Sequence, residues 1–400
     1  MNRQRRRFLK AAAAGGVAYA FGRTPGTVWA QSAGTGGFAD YKALVCLFLF
    51  GGNDSWNMVV PTSAAEYNAY SRSRGGGTTS SLAIDRAALL PVTRVGQVAG
   101  DPTFGFHPSM TGVRDLFNAG RLAVLPNIGP LLAPTTKAQY QSAATTGHPL
   151  PPQLFSHNDQ QDQWHSLRGR TVMRSGWGGR IADVLAARTA DQQLALNVSL
   201  AGQTFFQAGE LARPYVSGAT GAATFTGFGT TGVAAGRKTS FEAVLAASTV
   251  STGNTMYERG FAGVQQRAIR YADRVNAAIA AGPNFAALPN TGVTLTPLQT
   301  QLRTVAKMIA SRAQLTMSRQ IFFVSVGGFD MHDFLLQDQP GLLANVSNSI
   351  KMFHDAMGEI GMQQSVTLFT HSDFGRTLTS NGDRSEEHTS ELQSRQYLVC

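Results

Sequence analysis

The sequence predicts an α/β fold in which a largely parallel central sheet is flanked by helices. Continuous apolar runs end at glycine pairs, as at residues 41–50 before Gly51-Gly52 and at residues 321–326 before Gly327-Gly328. Runs of this kind are typical of strands that are buried on both faces. Segments with apolar residues at helical spacing alternate with these runs, and such alternation predicts parallel strands that are joined by helices.

The predicted elements follow one another along a single domain that we expect to span residues 31–383. After the strand at residues 41–50 we predict, in chain order, a helix over 110–119, a strand over 122–128, a helix that starts near Ser156, helices over 181–187 and 258–280, a helix marked by Leu298, Leu302, Val305 and Ile309, a strand over 321–326, a helix marked by Leu342, Val346, Ile350, Phe353, Met357 and Ile360, and a strand over 366–369. Residues 217–236 are rich in glycine, threonine and alanine, and this composition predicts a long surface excursion or a lid.

The N-terminus has the layout of a twin-arginine export signal. Arg5-Arg6-Arg7 precedes Phe8-Leu9-Lys10, a short apolar run follows at residues 11–22, and Val28-Trp29-Ala30 offers a cleavage site. This layout defines a secretory signal, and the paired arginines specify the twin-arginine route. We therefore expect residues 1–30 to be a signal peptide; the alternative is a basic tail before a buried helix.

The signal has consequences for location and partners. We expect the twin-arginine export machinery as a partner and a periplasmic or extracellular location. The apolar run is too short to anchor the chain in a bilayer, so we expect no stable membrane span.

The two cysteines are Cys46, which lies in an apolar run, and Cys400, which lies in the polar segment at the chain end. Since Cys46 is then alone in the predicted domain, we expect no disulfide within it.

Residues 384–400 are abruptly polar and fit no preceding element. They resemble the in-frame translation of a sequencing-adapter oligonucleotide. We interpret them as an artefact, exclude them from fold reasoning, and expect the genuine sequence to stop near Asp383.

Of the net charge of +10, residues 1–30 contribute +6 and residues 384–400 contribute −1, which leaves +5 for the body. This modest charge gives no case for nucleic-acid binding and is compatible with an anionic substrate.

Acidic residues and histidine follow three of the predicted strands directly. Asp54 follows the first strand, Asp330 and His332 follow the strand at residues 321–326, and Asp373 follows the last. Ligands of open α/β sheets bind outside the carboxyl ends of the strands. Carboxylate and imidazole without cysteine suit a catalytic site for zinc, manganese or iron. We therefore predict that these four residues lie within a few ångströms of one another and bind a divalent metal.

Each of these residues also has a structural interpretation. Asp54 is suited to cap its own turn through an Asx hydrogen bond. Asp330 and His332 are suited to form a local pair on a loop, and Asp373 to cap the segment that follows it. His371, between the last strand and Asp373, is interpreted as a core histidine.

A nucleophile and a binding site for an anion are expected at the start of the helix near Ser156. A helix N-terminus presents free N–H groups, which favour an oxyanion or a phosphate. A serine there can be activated by a metal, so Ser156 is the candidate nucleophile and His157 a candidate substrate-binding residue. The alternative is that Ser156 is an N-cap and that Asp159 completes the first turn. Arg376 is a candidate for binding an anionic group through the fork of its guanidinium. The alternative is that Arg376 is a solvated surface arginine.

Six motifs together resemble the exported family known as domain of unknown function 1501, over about residues 41–383. They are Leu49-Phe50-Gly51-Gly52-Asn53-Asp54-Ser55-Trp56-Asn57, Phe106-His107-Pro108-Ser109, Asn118-Ala119-Gly120-Arg121-Leu122-Ala123-Val124, Ser156-His157-x-Asp159, Gly328-Phe329-Asp330-x-His332 and Asp373-Phe374-Gly375-Arg376-Thr377. That family is grouped with the alkaline phosphatase and sulfatase superfamily. The resemblance implies an alkaline-phosphatase-like fold, which is C-terminally truncated in this chain.

The resemblance also implies roles for particular residues. Asp330 and His332 are similar to the Asp…His pair of the first metal, and Asp373 is similar to the ligand that binds a second metal beside Asp54. Ser156 stands at the place of the nucleophile. The histidine that usually follows the second-metal aspartate is replaced by Phe374.

Three functions remain open on this basis. The first is a metal-dependent hydrolase of phosphate or sulfate esters, in which two metals stabilise the attacking and leaving oxygens. The second is a non-catalytic exported or cell-surface binding protein on the same fold, since fold alone does not fix function. The third is transfer of a phospho group to or from a surface polymer.

Replacing Arg5 and Arg6 together by lysine should abolish export and leave folding intact, because the route is specified by the arginine pair. Cell fractionation measures the outcome, and Arg23→Lys, outside the pair, is the control. Normal export of the double variant would refute the assignment of residues 1–30.

Overall fold

The computed structural model describes residues 37–169, 171, 174–189, 192–379 and 396–399. The predicted signal peptide and most of residues 384–400 therefore lie outside the described residues. The strands are β1 (Lys42–Leu49), β2 (Val59–Pro61), β3 (Leu90–Val92), β4 (Phe104–Phe106), β5 (Ala123–Pro126), β6 (Asn197–Ser199), β7 (Tyr215–Val216), β8 (Arg319–Val326), β9 (Val366–Ser372) and β10 (Gln396–Val399).

The helices connect these strands and cover both faces of the main sheet. They are α1 (Ala64–Ser73), α2 (Thr111–Asn118), α3 (Lys137–Gln141), α4 (Ala143–Thr146), α5 (His157–Ser166), α6 (Trp177–Leu185), α7 (Gly232–Val250), α8 (Met256–Ala281), α9 (Pro297–Ala310) and α10 (Leu335–Glu359). Within the described ranges, every helix is too short or too polar to span a membrane.

The main sheet has the strand order β5-β10-β9-β1-β8-β6-β7 in the described part of the chain. The five strands from β9 to β7 run parallel, with β1 paired to both β8 and β9. This confirms the prediction of an α/β fold with a parallel sheet that is flanked by helices. A separate antiparallel sheet has the order β2-β4-β3.

The central position of β1 explains its continuous apolar sequence. Val45 and Leu47 point into a cluster with residues of α2, α9 and α10. Cys46 and Phe48 point to the opposite face, where Phe206 and the helix α6 cover them. Since both faces are buried, neither can carry polar residues, which is the pattern expected of a central parallel strand.

Two histidines lie on the Phe48 side of the sheet. His371, interpreted from the sequence as a core histidine, is buried, and its Nε2 lies 3.1 Å from Cys46 Sγ. The ring of His165 packs 5.1 Å from that of Phe48, between centroids. Burial lowers the pKa of His165 to about 4, so this side chain is neutral at pH 7 and brings no charge into the core.

Capping residues begin two of the predicted helices in the second half of the chain. Thr255 and Glu258 form a capping box at α8, and Thr296 and Gln299 form another at α9. Each box satisfies two backbone N–H groups that the helix itself leaves without a partner. Pro297 at the first position of α9 is pre-organised for a helix start.

Several sequence predictions need correction. The excursion predicted over residues 217–236 ends earlier than expected, because α7 begins at Gly232 and packs on α8 through Leu245, Ala262 and Ile269. The strand predicted over residues 122–128 is the four-residue β5, which pairs antiparallel with β10 and lies outside the parallel core. The backbone of β10 belongs to the segment that we set aside as an artefact, and it lies between β5 and β9.

Candidate functional site

The loop after β1 passes very close to the loops after β8 and β9. Gly51 and Gly52 both have positive φ, of 120° and 75°. A Cβ atom on Gly51 would lie 2.2 Å from the backbone nitrogen of Asp330, and one on Gly52 would lie 2.4 Å from the ring of Phe374. Only glycine meets both conditions, so the glycine pair brings the three strand ends into contact.

Asp373 is the most deeply buried carboxylate of this region. Its Oδ2 accepts hydrogen bonds from the Gly51 backbone N–H at 3.2 Å and from Gln161 Nε2 at 3.2 Å, and it lies 2.7 Å from Nδ1 of His157. Its Oδ1 is buried and has no hydrogen-bond partner among the described residues. Asp373 therefore orients His157 and retains one oxygen that the described residues do not use.

His157 lies between two carboxylates. On its other side, Nε2 is 3.4 Å from Oδ1 of Asp330. The same Asp330 oxygen lies 2.8 Å from His332 Nε2 and accepts a hydrogen bond from Arg376 Nη2 at 2.6 Å. Burial raises the pKa of Asp330, but the hydrogen bond and charge of Arg376, with smaller contributions from His157 and His332, hold it below its ordinary value.

Arg376 is buried, which excludes the alternative of a solvated surface arginine. Its Nε donates to the Gly52 carbonyl at 2.8 Å, and its Nη2 donates to the Gly51 carbonyl at 2.7 Å as well as to Asp330. The guanidinium therefore joins the end of β9 to the loops that follow β1 and β8. Its fork is directed at oxygens of the chain, whereas the sequence prediction directed it at a substrate.

Asp54 is bonded to a different cation. Its Oδ2 lies 2.5 Å from Nη2 of Arg74, and both side chains are fully buried. Its Oδ1 accepts a hydrogen bond from the Trp56 backbone N–H at 2.9 Å, which is the Asx turn that the structural interpretation expected. Arg74 also donates to the carbonyls of Thr377 and Leu378, so the pair fixes the segment after Arg376.

Ser156 is the N-cap of α5. Its Oγ donates to Asp159 Oδ2 at 2.6 Å and accepts from the Asp159 backbone N–H at 3.4 Å. The alternative interpretation of Ser156 as a cap, with Asp159 completing the first turn, describes this geometry. The cap places the next residue, His157, against Asp373.

The predicted metal ligands are thus divided. Asp330, His332 and Asp373 share one network through His157, while Asp54 is bonded to Arg74. Within the described residues, no group of three or more histidine, cysteine, aspartate or glutamate side chains is arranged to hold a metal ion. The Asp330 oxygen that contacts His332 also accepts from Arg376, and a fixed cation at a ligand oxygen competes with a metal.

Sequence reasoning missed two residues of the site. Gln161 follows His157 by four positions, so both lie on the same face of α5, and that spacing is a signal that points to Gln161. Arg74 stands before three consecutive glycines, Gly75 to Gly77, and no local pattern relates it to Asp54. His107, which is not among the predicted site residues, is buried, and burial lowers its pKa to about 4 against the opposing charge of Asp54.

Comparison with protein families gives a match over most of the chain. A family model described as protein of unknown function (DUF1501) matches residues 41–391, which includes every candidate site residue and extends past Asp383. No curated protein and no solved structure matches the chain.

Asp54→Asn should destabilise the fold by about 3–5 kcal/mol, because it leaves the Arg74 charge buried without its counter-ion. Asp115→Asn is the control: Asp115 also pairs with an arginine, Arg114, but the two side chains are 54% and 29% exposed, so the loss should stay within about 1 kcal/mol. Urea denaturation measures both. Equal losses would show that the Asp54–Arg74 pair does not anchor the strand ends.

Proposed function

We propose that this chain, which belongs to the DUF1501 family of proteins of unknown function, is an exported hydrolase of phosphate or sulfate esters. The observation that carries the proposal is the Asp373–His157 pair at the carboxyl edge of the parallel sheet, where ligands of such sheets bind. The resemblance of the surrounding motifs to the alkaline phosphatase and sulfatase superfamily supports the class of substrate.

His157 is the group that transfers protons in this proposal. When its Nδ1–H donates to the buried Asp373 carboxylate, the tautomer is fixed and Nε2 is the basic nitrogen. The His157 side chain is 30% exposed, so water and substrate have access to it. Nε2 takes a proton from the attacking water as the water oxygen bonds to phosphorus or sulfur and the bond to the ester oxygen breaks. The leaving oxygen takes a proton from solvent, and His157 then releases its own proton to solvent.

The surroundings of His157 favour an anionic ester. Arg376 and His332 both contact Asp330 beside it, and His157 is itself the first residue of α5. The N-terminal end of a helix carries a partial positive charge that attracts phosphate and sulfate groups. Ser156, one residue earlier, is the alternative acceptor of the transferred group.

The resemblance also implies a divalent metal, zinc or manganese, at Asp54, Asp330, His332 and Asp373. These residues, as arranged, do not fit a metal site, because Asp54 is bonded to Arg74 and Asp330 to Arg376. No step of the proposed mechanism therefore passes through a metal, and metal content is a quantity for the experiment to measure.

A second candidate function is a non-catalytic binding protein. The observation that favours it is that arginines of the chain already neutralise two of the carboxylates expected to do chemistry, Asp54 and Asp330. Hydrolytic activity distinguishes the two candidates.

His157→Gln should lower kcat/KM by about a hundredfold or more if His157 transfers protons. We would assay the purified chain on 4-nitrophenyl phosphate, bis(4-nitrophenyl) phosphate and 4-nitrophenyl sulfate, and measure zinc and manganese in the same preparations. His148→Gln is the matched control, because His148 bonds to Thr135 away from the site. Absence of activity on all three esters would favour the binding protein, and equal losses in the two variants would remove His157 from the mechanism.

Ser156→Ala separates a nucleophile from a cap. Ser63 caps α1 with the same geometry, since its Oγ donates to Glu66 and accepts from the Glu66 N–H at 3.4 Å. Both alanine variants should therefore lose about 1 kcal/mol of stability. If Ser156 accepts the transferred group, only Ser156→Ala abolishes hydrolysis under conditions where both variants are folded. Matched activities would assign the attack to water.

A further inference from the structure

A groove lies at the opposite edge of the sheet from His157. It has a volume of about 390 Å³ and is lined by residues at the amino ends of β1, β8 and β9, including Lys42, Arg319 and Val366. At about 3.3 Å per residue, the eight-residue β1 separates the two edges by roughly 23 Å. The volume is in the range of small-molecule sites, about 300–1,000 Å³.

The charged groups that line this groove are all basic. Lys42, Arg121 and Arg319 contribute to the lining, together with His354, whose pKa is lowered by burial, and within the described ranges no aspartate or glutamate lines it. Two carboxylates contact lining or neighbouring residues: Asp40 pairs with Arg319, and Asp355 lies beside His354 and pairs with Lys351. One carboxylate against three permanent cations leaves a positive potential in the groove, which favours an anion.

Hydrogen-bond donors also lie buried in the wall of the groove. Arg319 and Gln320 are 5% and 1% exposed. Arg319 Nε and Gln320 Nε2 are buried and have no hydrogen-bond partner among the described residues. Buried donors without acceptors cost free energy, and their unneutralised positive ends add to the potential that favours an anion in the groove.

The remaining wall is aliphatic. Leu44 and Ile321 come from the sheet, and Ile181 and Leu185 come from α6. All four belong to or pack against the cluster around Phe48. A ligand that fills the groove must therefore present an apolar part beside its anionic part.

We propose that this groove binds a small amphiphilic carboxylate, with the carboxylate towards Lys42, Arg121 and Arg319 and the hydrocarbon chain against Leu44, Ile181 and Leu185. The site is separate from the Asp373–His157 pair, and the proposal does not depend on hydrolysis. A medium-chain fatty acid has the required chemistry.

The test is calorimetric titration of the purified full chain with decanoate, with decanol as the uncharged analogue and acetate as the head group alone. We expect saturable binding of decanoate at one site and at least tenfold weaker binding of decanol and of acetate. Arg121→Gln should weaken decanoate binding about fivefold, which corresponds to ~1 kcal/mol, whereas Arg86→Gln, an exposed arginine that does not line the groove, should not change it.

A second pair of variants tests the apolar wall. Leu185→Gln should weaken decanoate binding, and Val184→Gln, the neighbouring position on α6 that is 65% exposed, should leave it unchanged. Absence of saturable decanoate binding by the unmodified chain would overturn the proposal, as would equal binding of decanol. If Arg121→Gln and Leu185→Gln, both shown to be folded by circular dichroism, bind like their controls, the ligand lies elsewhere and the proposal fails.

Discussion

The arrangement of the candidate site depends on one buried cation. Arg376 follows β9, yet it donates to the carbonyls of Gly51 and Gly52 after β1 and to the carboxylate of Asp330 after β8. A guanidinium buried this deeply is tolerated only when its donors are paired. The same contacts that satisfy the charge therefore hold three strand ends at fixed distances. Asp373, Asp330 and His157 occupy their positions because this junction is rigid.

The sequence predicts the centre of the fold better than its edges. β1 and β8 are buried on both faces over most of their length, so each contains a continuous apolar run that ends near glycine. β6 and β7 have only three and two residues, and no periodic pattern exists at that length. The composition of α7 is that of a loop, rich in glycine, alanine, serine and threonine. It is helical because it packs on α8, and tertiary packing of this kind is not visible in a local window.

The candidate site shows the same division between local and distant information. That polar residues from three strand ends meet is predictable, because the carboxyl ends of parallel strands share one edge. Which charges pair is not predictable, because Arg74 and Asp54 are 20 positions apart in sequence and belong to different local structures. Burial decides the outcome: a sequence reveals that Arg376 is charged but not that its surroundings exclude water. For this reason Arg376, which the sequence analysis predicted to bind a substrate, instead joins three loops of the protein.

The close approach at Gly52 has a consequence for how the protein tolerates mutation. A methyl group on Gly52 would displace the ring of Phe374, and that ring packs against His157 with centroids 4.8 Å apart. A substitution at a residue without any side-chain chemistry would thus be transmitted through one aromatic ring to the candidate catalytic imidazole. In a mutational scan that measures activity, substitutions at Gly52 would therefore be as harmful as those at an active-site residue. The cause of the lost activity would be steric, because Gly52 itself takes no part in the chemistry.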